Sequence, residues 1–582
     1  MPAKGWCNAA RKDVSGTALQ GLSPFHLYER WFSGAVLMLR MMNKALCVGC
    51  LFCLLVLANT SHANNVSQNI QNVQDTQNVQ NAPGVQVGAQ FDVLEYLIEG
   101  TMLLPVTAIE QAVYPHLGEK KTLEDVERAR DALERVYHDA GYLTVLVTIP
   151  QQKVDEGVVR LTVTEAPVNR LRVAGSRYFS PGEIKAAVPE LAEGNVPHFP
   201  AMQKQLASLN RNSDRSITPV LRPGRTPGTV EVDLKVQDRL PLHGSLELDS
   251  RQNLNTTLTR LSANVSWDNL WQKQHSLGVT ARYTPENPNQ SQVFSANYTA
   301  PLASGSFLAL YGVYSNSNIA AVGTLNVLGK GTILGARYIV PLTGTEKFFH
   351  TATLGMDYKD FDQTVNLPGG DGFTGPISYL PFTLGWDGNW IEEGRNTKLG
   401  LAANFHVRGL FGSEEEFANR RFQAHSNYMF LRGNLSHTEI LYKGWGVTGR
   451  ASWQVTSSAL IPTEQFVIGG VTNVRGYYEV QALGDDSGTA GLEIFTPNFS
   501  KRLAESLDSL NLVTFIEAGR VRVRQPLPGQ PDGSTLVGTG AGLRLKAWKN
   551  LTAELDGAVA LKEVGVTKVW DPRVHFLVRQ VW

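Results

Sequence analysis

The chain has 582 residues, with 53 Lys+Arg against 53 Asp+Glu and a formal net charge of zero. That balance argues against nucleic acid as the main partner, which calls for a basic surplus or a dense basic face. Charged residues are only 18% where soluble domains carry about 25%, while Gly reaches 54 and hydrophobic residues 42%; the chain is too polar for a bundle of membrane helices and too charge-poor for an ordinary cytosolic enzyme.

The four cysteines, Cys7, Cys47, Cys50 and Cys53, all precede residue 54. Three of them lie in an apolar run over residues 45–58, too short to span a bilayer, which takes about 20 residues. Lys44 precedes the run, and Ser61-His62-Ala63 follows with small residues at the −3 and −1 positions. Residues 1–63 therefore read as a secretory signal peptide with a long leader, cleaved after Ala63. Met41 or Met42 is an alternative start. A lipoprotein reading through Val48-Gly49-Cys50 is weaker, because that cysteine lies inside the apolar run. The mature chain is expected to be exported, cysteine-free and without a membrane helix.

Residues 64–89 are Gln/Asn-rich, with a Gln-Asn/Asp-x tripeptide repeated five times before Pro83-Gly84. The composition suits a disordered polar linker. It equally suits a polar plug helix, since about 17 helical residues would reach about 25 Å, the wall height of a membrane barrel. Residues 90–167 then read strand, helix, helix, strand, strand. An extended run over 91–98 leads to Pro105, a favoured first helical residue. Thr122-Leu-Glu-Asp125 is a capping-box variant, and Leu123, Val126, Ala129, Leu133 and Val136 share one face of the helix behind it. The same order recurs over 168–239, so a small α+β domain is repeated in tandem.

From residue 240 the period becomes two. Leu261, Ala263, Val265 and Trp267 alternate with Arg260, Ser262, Asn264 and Ser266; Leu277, Val279, Ala281 and Tyr283 do the same with Gly278, Thr280 and Arg282. The runs are about ten residues, near the 9–11 that cross a bilayer at a tilt. Nine of the eleven tryptophans lie here, several at segment ends where interfacial girdles belong. The last run carries Phe576 and the terminal Trp582 on one apolar face that only Gln580 interrupts. About sixteen strands are expected over 240–582, closed into a transmembrane antiparallel β-barrel, because closure alone removes open edges from lipid.

Enzyme signatures are missing: there is no Gly-x-Ser-x-Gly and no His-Glu-x-x-His. Residues 323–331 come near a phosphate loop, but the spacing is one residue too long and no Ser/Thr follows Lys330; they read as a turn region between strands. The twelve histidines show no ligand spacing, so no catalytic residue, cofactor or metal is expected. Asp485-Asp486 reads as a solvated charge pair rather than a calcium site.

The most specific string is Leu460-Ile-Pro-Thr-Glu-Gln-Phe-Val-Ile-Gly-Gly-Val-Thr-Asn-Val-Arg-Gly-Tyr477. It resembles the sixth extracellular loop of two-partner secretion transporters, with Val474, Arg475, Gly476 and Tyr477 as the loop tip and Glu464, Gln465, Phe466, Gly469 and Gly470 as supporting residues. Phe515-Ile-Glu-Ala-Gly519 resembles the family's Phe-x-Asp-x-Gly strand motif, with Glu517 where the family has Asp. The two repeated units resemble POTRA domains.

The resemblance implies a Gram-negative outer-membrane pore whose POTRA domains stand in the periplasm. They bind an unfolded secreted partner, a large β-helical adhesin, haemolysin or toxin, which threads through the barrel. The loop is expected to fold into the lumen, with Arg475 paired to Glu517; a guanidinium fork can give a carboxylate two hydrogen bonds. Phe576 and Trp582 are expected to serve as the C-terminal signal for the barrel assembly machinery, and outer-membrane lipid as the surrounding partner. Nucleic acid is not expected. An assembly factor that inserts other barrels is the alternative, and a passive porin would have no reason to carry paired periplasmic domains.

Overall fold

The computed structural model describes residues 90–582, apart from 101–102, 155, 255, 318, 323–324, 329 and 362–374, with backbone alone at 319–322 and 325–328. The expected signal peptide, its cysteines and the Gln/Asn-rich segment lie outside the described residues.

In the first N-terminal unit the strand Val158–Thr164 is central, parallel to Glu95–Glu99 and antiparallel to Leu146–Thr148. Helices Val106–Val113 and Leu123–Asp139 cover one face, burying Ile109, Val126, Ala129, Leu133 and Tyr137 against Val147 and Leu161. The capping box forms: the Asp125 carboxylate accepts the Thr122 backbone N–H at 2.8 Å. The single extended run expected over 91–98 is two strands. The chain breaks at Leu94, whose N–H donates to the Gly157 carbonyl at 2.8 Å, and Phe91–Val93 pairs instead with Gly118–Lys121.

The second unit repeats the order with Val168–Ala174, Pro181–Ala186, Phe199–Leu209, Arg215–Pro223 and Val230–Asp238, the last strand again central and parallel to the first. It is joined to the barrel rim by hydrogen bonds, the Ser180 N–H to Gln272 Oε1 at 2.9 Å and Asn269 Nδ2 to the Tyr178 carbonyl at 3.3 Å.

The barrel has sixteen antiparallel strands: β1 (Leu242–Asp249), β2 (Arg260–Leu270), β3 (His275–Tyr283), β4 (Ser291–Pro301), β5 (Phe307–Ser317), β6 (Gly331–Pro341), β7 (Phe348–Phe361), β8 (Ile377–Tyr379 continued by Phe382–Glu392), β9 (Arg395–His406), β10 (Tyr428–Ile440), β11 (Gly446–Thr456), β12 (Asp486–Phe495), β13 (Leu507–Arg522), β14 (Gly533–Ala547), β15 (Leu551–Ala560) and β16 (Pro572–Val581). Both segments of β8 pair with β7, so they count as one strand interrupted at Leu380-Pro381. Strand β16 closes onto β1 through five residue pairs, Leu577–Asp249 to Val581–Ser245. Within the near-phosphate-loop segment Leu325–Leu328 is a strand, paired antiparallel with Ile319–Val322 between β5 and β6.

Alternation sorts the side chains as a lipid-facing wall requires. Val265, Val279, Phe294, Leu543 and Leu555 are exposed on the outside, while Ser262, Thr280 and Ser295 line an interior cavity. Strand β13 departs from the rule. Its inward positions are Val513, Phe515, Glu517, Gly519 and Val521, nearly all apolar and all buried. The reason is that part of the chain lies against them.

Candidate functional site

That covering segment is residues 457–485, the loop joining β11 to β12 on the barrel end opposite the two N-terminal units and the sixth loop on that side. It enters as a hairpin, Phe466–Ile468 pairing antiparallel with Ala482–Gly484. Gly469 and Gly470 turn the chain at φ +105° and +94°, a region that costs glycine little. A β-carbon on Gly470 would stand 2.3 Å from the Glu479 carboxyl carbon. The Gly469 N–H donates to Asn473 Oδ1 at 2.7 Å and the Gly470 N–H to the Val474 carbonyl at 3.2 Å.

The tip is seated on the inner wall of β12–β16. Arg475 is 2% exposed. Its backbone N–H donates to Glu517 Oε2 at 2.8 Å, and its Nη2 to Glu517 Oε1 at 2.6 Å and Glu493 Oε2 at 3.0 Å. Nη1 donates to Asp556 Oδ2 at 3.0 Å, and the guanidinium lies 3.3 Å from the centre of the Phe515 ring. Arg450 Nη2 reaches Glu517 Oε1 at 3.0 Å, and Arg544 Nη1 reaches Asp556 Oδ1 at 2.6 Å. Three guanidiniums thus share three carboxylates, and Glu554 stands 3.6 Å from Arg544 at the edge. A buried charge is tolerable on these terms, paired and with most of its hydrogen-bonding positions met.

Space for the tip comes from glycines. Glu517 stands opposite Gly491 on β12 and Gly538 on β14. A β-carbon on Gly538 would lie 1.9 Å from the Arg475 carbonyl oxygen, and one on Gly519 3.1 Å from Val474. Gly476, at φ +96°, has no room for a side chain against the β15 backbone, and its N–H lies 3.3 Å from His575 Nε2 on β16. Tyr477 is buried with Ile468, Val474, Val521, Leu536 and Ala560, and its hydroxyl stands 2.7 Å from the Lys562 carbonyl and 3.0 Å from that of Val537.

Of the supporting residues, Glu464, Gln465 and Phe466 lie at the loop base, away from the tip. Glu464 Oε1 accepts from Lys359 Nζ at 2.6 Å and from the Tyr379 hydroxyl at 2.7 Å, tying the base to β7 and β8. Gln465 Nε2 donates to Asp485 Oδ1 at 3.2 Å, and Phe466 lies half-buried with the Arg432 guanidinium 5.7 Å from its ring centre.

Asp485 corrects the reading of a solvated pair: it is 0% exposed. Its carboxylate accepts the Leu460 N–H at 2.9 Å, the Arg524 N–H at 2.7 Å and the Arg421 guanidinium at 2.5 and 2.7 Å. It joins the fifth, sixth and seventh loops, and its oxygens are already occupied by donors.

Phe576 and Trp582 stand apart from the loop tip, at the closing seam. The Phe576 N–H donates to Ser250 Oγ at 2.8 Å, and Trp582 exchanges backbone hydrogen bonds with Gly244 at 3.0 and 3.2 Å.

One group among the described residues has the spacing of metal ligands: Asp214, His243 and Asp268, where the second N-terminal unit meets the rim. Arg239 Nε already holds Asp214 at 2.8 Å, and His243 Nε2 lies 2.8 Å from the same carboxylate. The geometry is that of an ion-pair junction.

Sequence reasoning named Arg475 and Glu517 but not Glu493, Asp556, Arg450, Arg544, His575 or Gly538. All are inward positions of alternating strands, and the small-residue run Gly538-Thr-Gly-Ala-Gly542 was the one local signal of a close approach.

Comparison with known proteins places the chain's family and fold. Residues 91–166 match the profile of the POTRA domain, ShlB-type. Residues 228–339 and 391–545 match that of the haemolysin secretion/activation protein ShlB/FhaC/HecB. The chain is 21% identical over 406 residues to the heme/hemopexin transporter protein HuxB of Haemophilus influenzae, covering 67% of this chain and 70% of HuxB. It is 23% identical over 485 residues to the outer membrane transporter CdiB of Escherichia coli, covering 78% and 76%. The fold is similar to a solved structure of CdiB from Escherichia coli, with a TM-score of 0.57, 16% identity and coverage of 87% and 93%.

Proposed function

Since this chain belongs to the haemolysin secretion/activation family of two-partner secretion transporters, we propose that the seated sixth loop is the working part of its export pore. The protein is a Gram-negative outer-membrane β-barrel with its POTRA region in the periplasm, and it exports a secreted partner protein.

The partner is a large, β-helical exoprotein: an adhesin, haemolysin or toxin. Both periplasmic units act as POTRA domains and hold it unfolded. Each three-stranded sheet leaves two outer strands, Glu95–Glu99 and Leu146–Thr148 in the first unit, Val168–Ala174 and Arg215–Pro223 in the second. An extended peptide can add to such an edge through backbone hydrogen bonds with little sequence demand. The exoprotein then enters the lumen extended and folds outside. Phe576 and Trp582, on the strand that closes the barrel, present the chain to the barrel assembly machinery.

The observation that carries this reading is the burial of Arg475 on Glu517, deep against the inner wall. The test is deletion of the gene followed by profiling of secreted proteins and outer-membrane barrels. Loss of one large exoprotein, with other barrels unchanged, is the expected result. A general loss of barrels would make the protein an insertase instead.

A further inference from the structure

Three sectors of the described interior can be told apart, two of them capped by apolar clusters and one open as a polar cavity. Along β13–β15 the wall is covered by the sixth loop, with Ile468, Val474 and Tyr477 packed on Val521, Leu536 and Ala560. Around β5–β11 the wall is covered near the extracellular mouth by a second apolar cluster. There Phe417, on the fifth-loop helix Glu414–Arg420, packs with Phe361, Tyr379, Tyr428, Phe430 and Leu460. The third sector is a cavity of about 400 Å³, lined by five adjacent strands, β16 and β1 to β4, with Arg251 of the first loop.

Its chemistry differs from that of the two apolar clusters. Ser245, Ser262, Asn264, Thr280 and Ser295 line it, with Val293 and Leu577 as the apolar exceptions. Hydroxyl and amide groups both donate and accept, so they can replace water on the N–H and C=O groups of a passing chain in any sequence. The cavity's charges are largely answered locally. Arg579 Nε lies 2.9 Å from Glu247, and Arg282 Nη2 lies 2.8 Å from Asp249. Such a wall offers an unfolded chain neither a greasy patch nor a strong net charge to stop on.

We propose that the exported polypeptide crosses in extended form along this β16–β4 sector, while the sixth loop stays seated on β12–β16. The inference rests on the export reading above and adds the route. The seated loop and the fifth-loop cluster then act as the far walls of the conduit.

Residues 54–582 contain no cysteine, so single-cysteine reporters have a clean background. Ser262→Cys, Thr280→Cys and Ser295→Cys mark the polar sector on three strands. Ser315→Cys marks the apolar sector and Thr489→Cys the wall beneath the loop, both buried positions. The probe is the exoprotein lost on gene deletion, carrying one cysteine and fused at its C terminus to a fast-folding domain that jams in transit.

Mixed disulfides should form severalfold more at 262, 280 and 295 than at 315 or 489, compared at equal amounts of folded barrel. Equal or stronger cross-linking at 315 or 489 overturns the route but leaves export standing. Cross-links from the polar sector only to the protein's own residues 64–89 also overturn it. If the unaltered protein secretes nothing, the export reading falls and the route falls with it.

Discussion

Arg475 at the loop tip and Glu517 on β13, 42 residues apart in sequence, meet at 2.6 Å with both side chains almost wholly buried. Glu517 also accepts the Arg475 backbone N–H at 2.8 Å. One carboxylate therefore fixes both the side chain and the path of the main chain. The additional methylene of Glu, where the family motif has Asp, is accommodated between Gly491 and Gly538.

Gly538→Ala tests the close approach. The added β-carbon would meet the Arg475 carbonyl at 1.9 Å, a backbone contact that no side-chain rotation relieves. Overpacking of this kind costs about 1–3 kcal/mol, enough to shift the loop's seating severalfold. Proteolysis of the sixth loop should accelerate, and heat-modifiable migration in gels should show the barrel still folded.

Asp485→Asn tests the clasp between loops. Breaking a buried ion pair by removing one partner costs about 3–5 kcal/mol, and here Arg421 is left among carbonyls. Hydrogen exchange should rise over the bases of the fifth and sixth loops together. The exchanged pair, Arg421→Asp with Asp485→Arg, should recover part of the protection. Exchange confined to one loop would mean that Asp485 does not couple them.

Acid should loosen the second helix of the first POTRA unit, Leu123–Asp139, at its start. Asp125 accepts the Thr122 N–H and hydroxyl and pairs with Arg128, which holds its carboxyl well below the usual range. A depressed folded value means the stabilisation is complete above the ordinary aspartate pKa of about 3.9. It is lost as pH falls through the folded value. Amides 123–126 should exchange faster in Asp125→Asn than in the unaltered protein at neutral pH, and the difference should vanish in strong acid.

Much of this was legible in the sequence because each signal was local. Period-two alternation at Leu261–Trp267 predicted outward and inward faces before any pairing was known, and Thr122-Leu-Glu-Asp125 marked a helix start. The string ending Val474-Arg475-Gly476-Tyr477 marked the loop. The rest depended on register. Arg475 meets Asp556 81 positions later because of how β12 to β15 are staggered, and nothing local separates Asp556 from other inward acids. Strand β13 carries an apolar inner face that alternation alone would have turned toward lipid. Asp485 looked solvated because its donors, on Arg421 and Arg524, are remote in sequence.

The most direct test of the central claim is Arg475→Glu, measured for export and for single-channel conductance in the same preparation. Four carboxylates would then face two guanidiniums at the tip, and the loop should leave its seat. The account predicts a folded barrel with altered, larger conductance and no secreted exoprotein. A folded variant that exports normally, with the conductance of the unaltered pore, would contradict it.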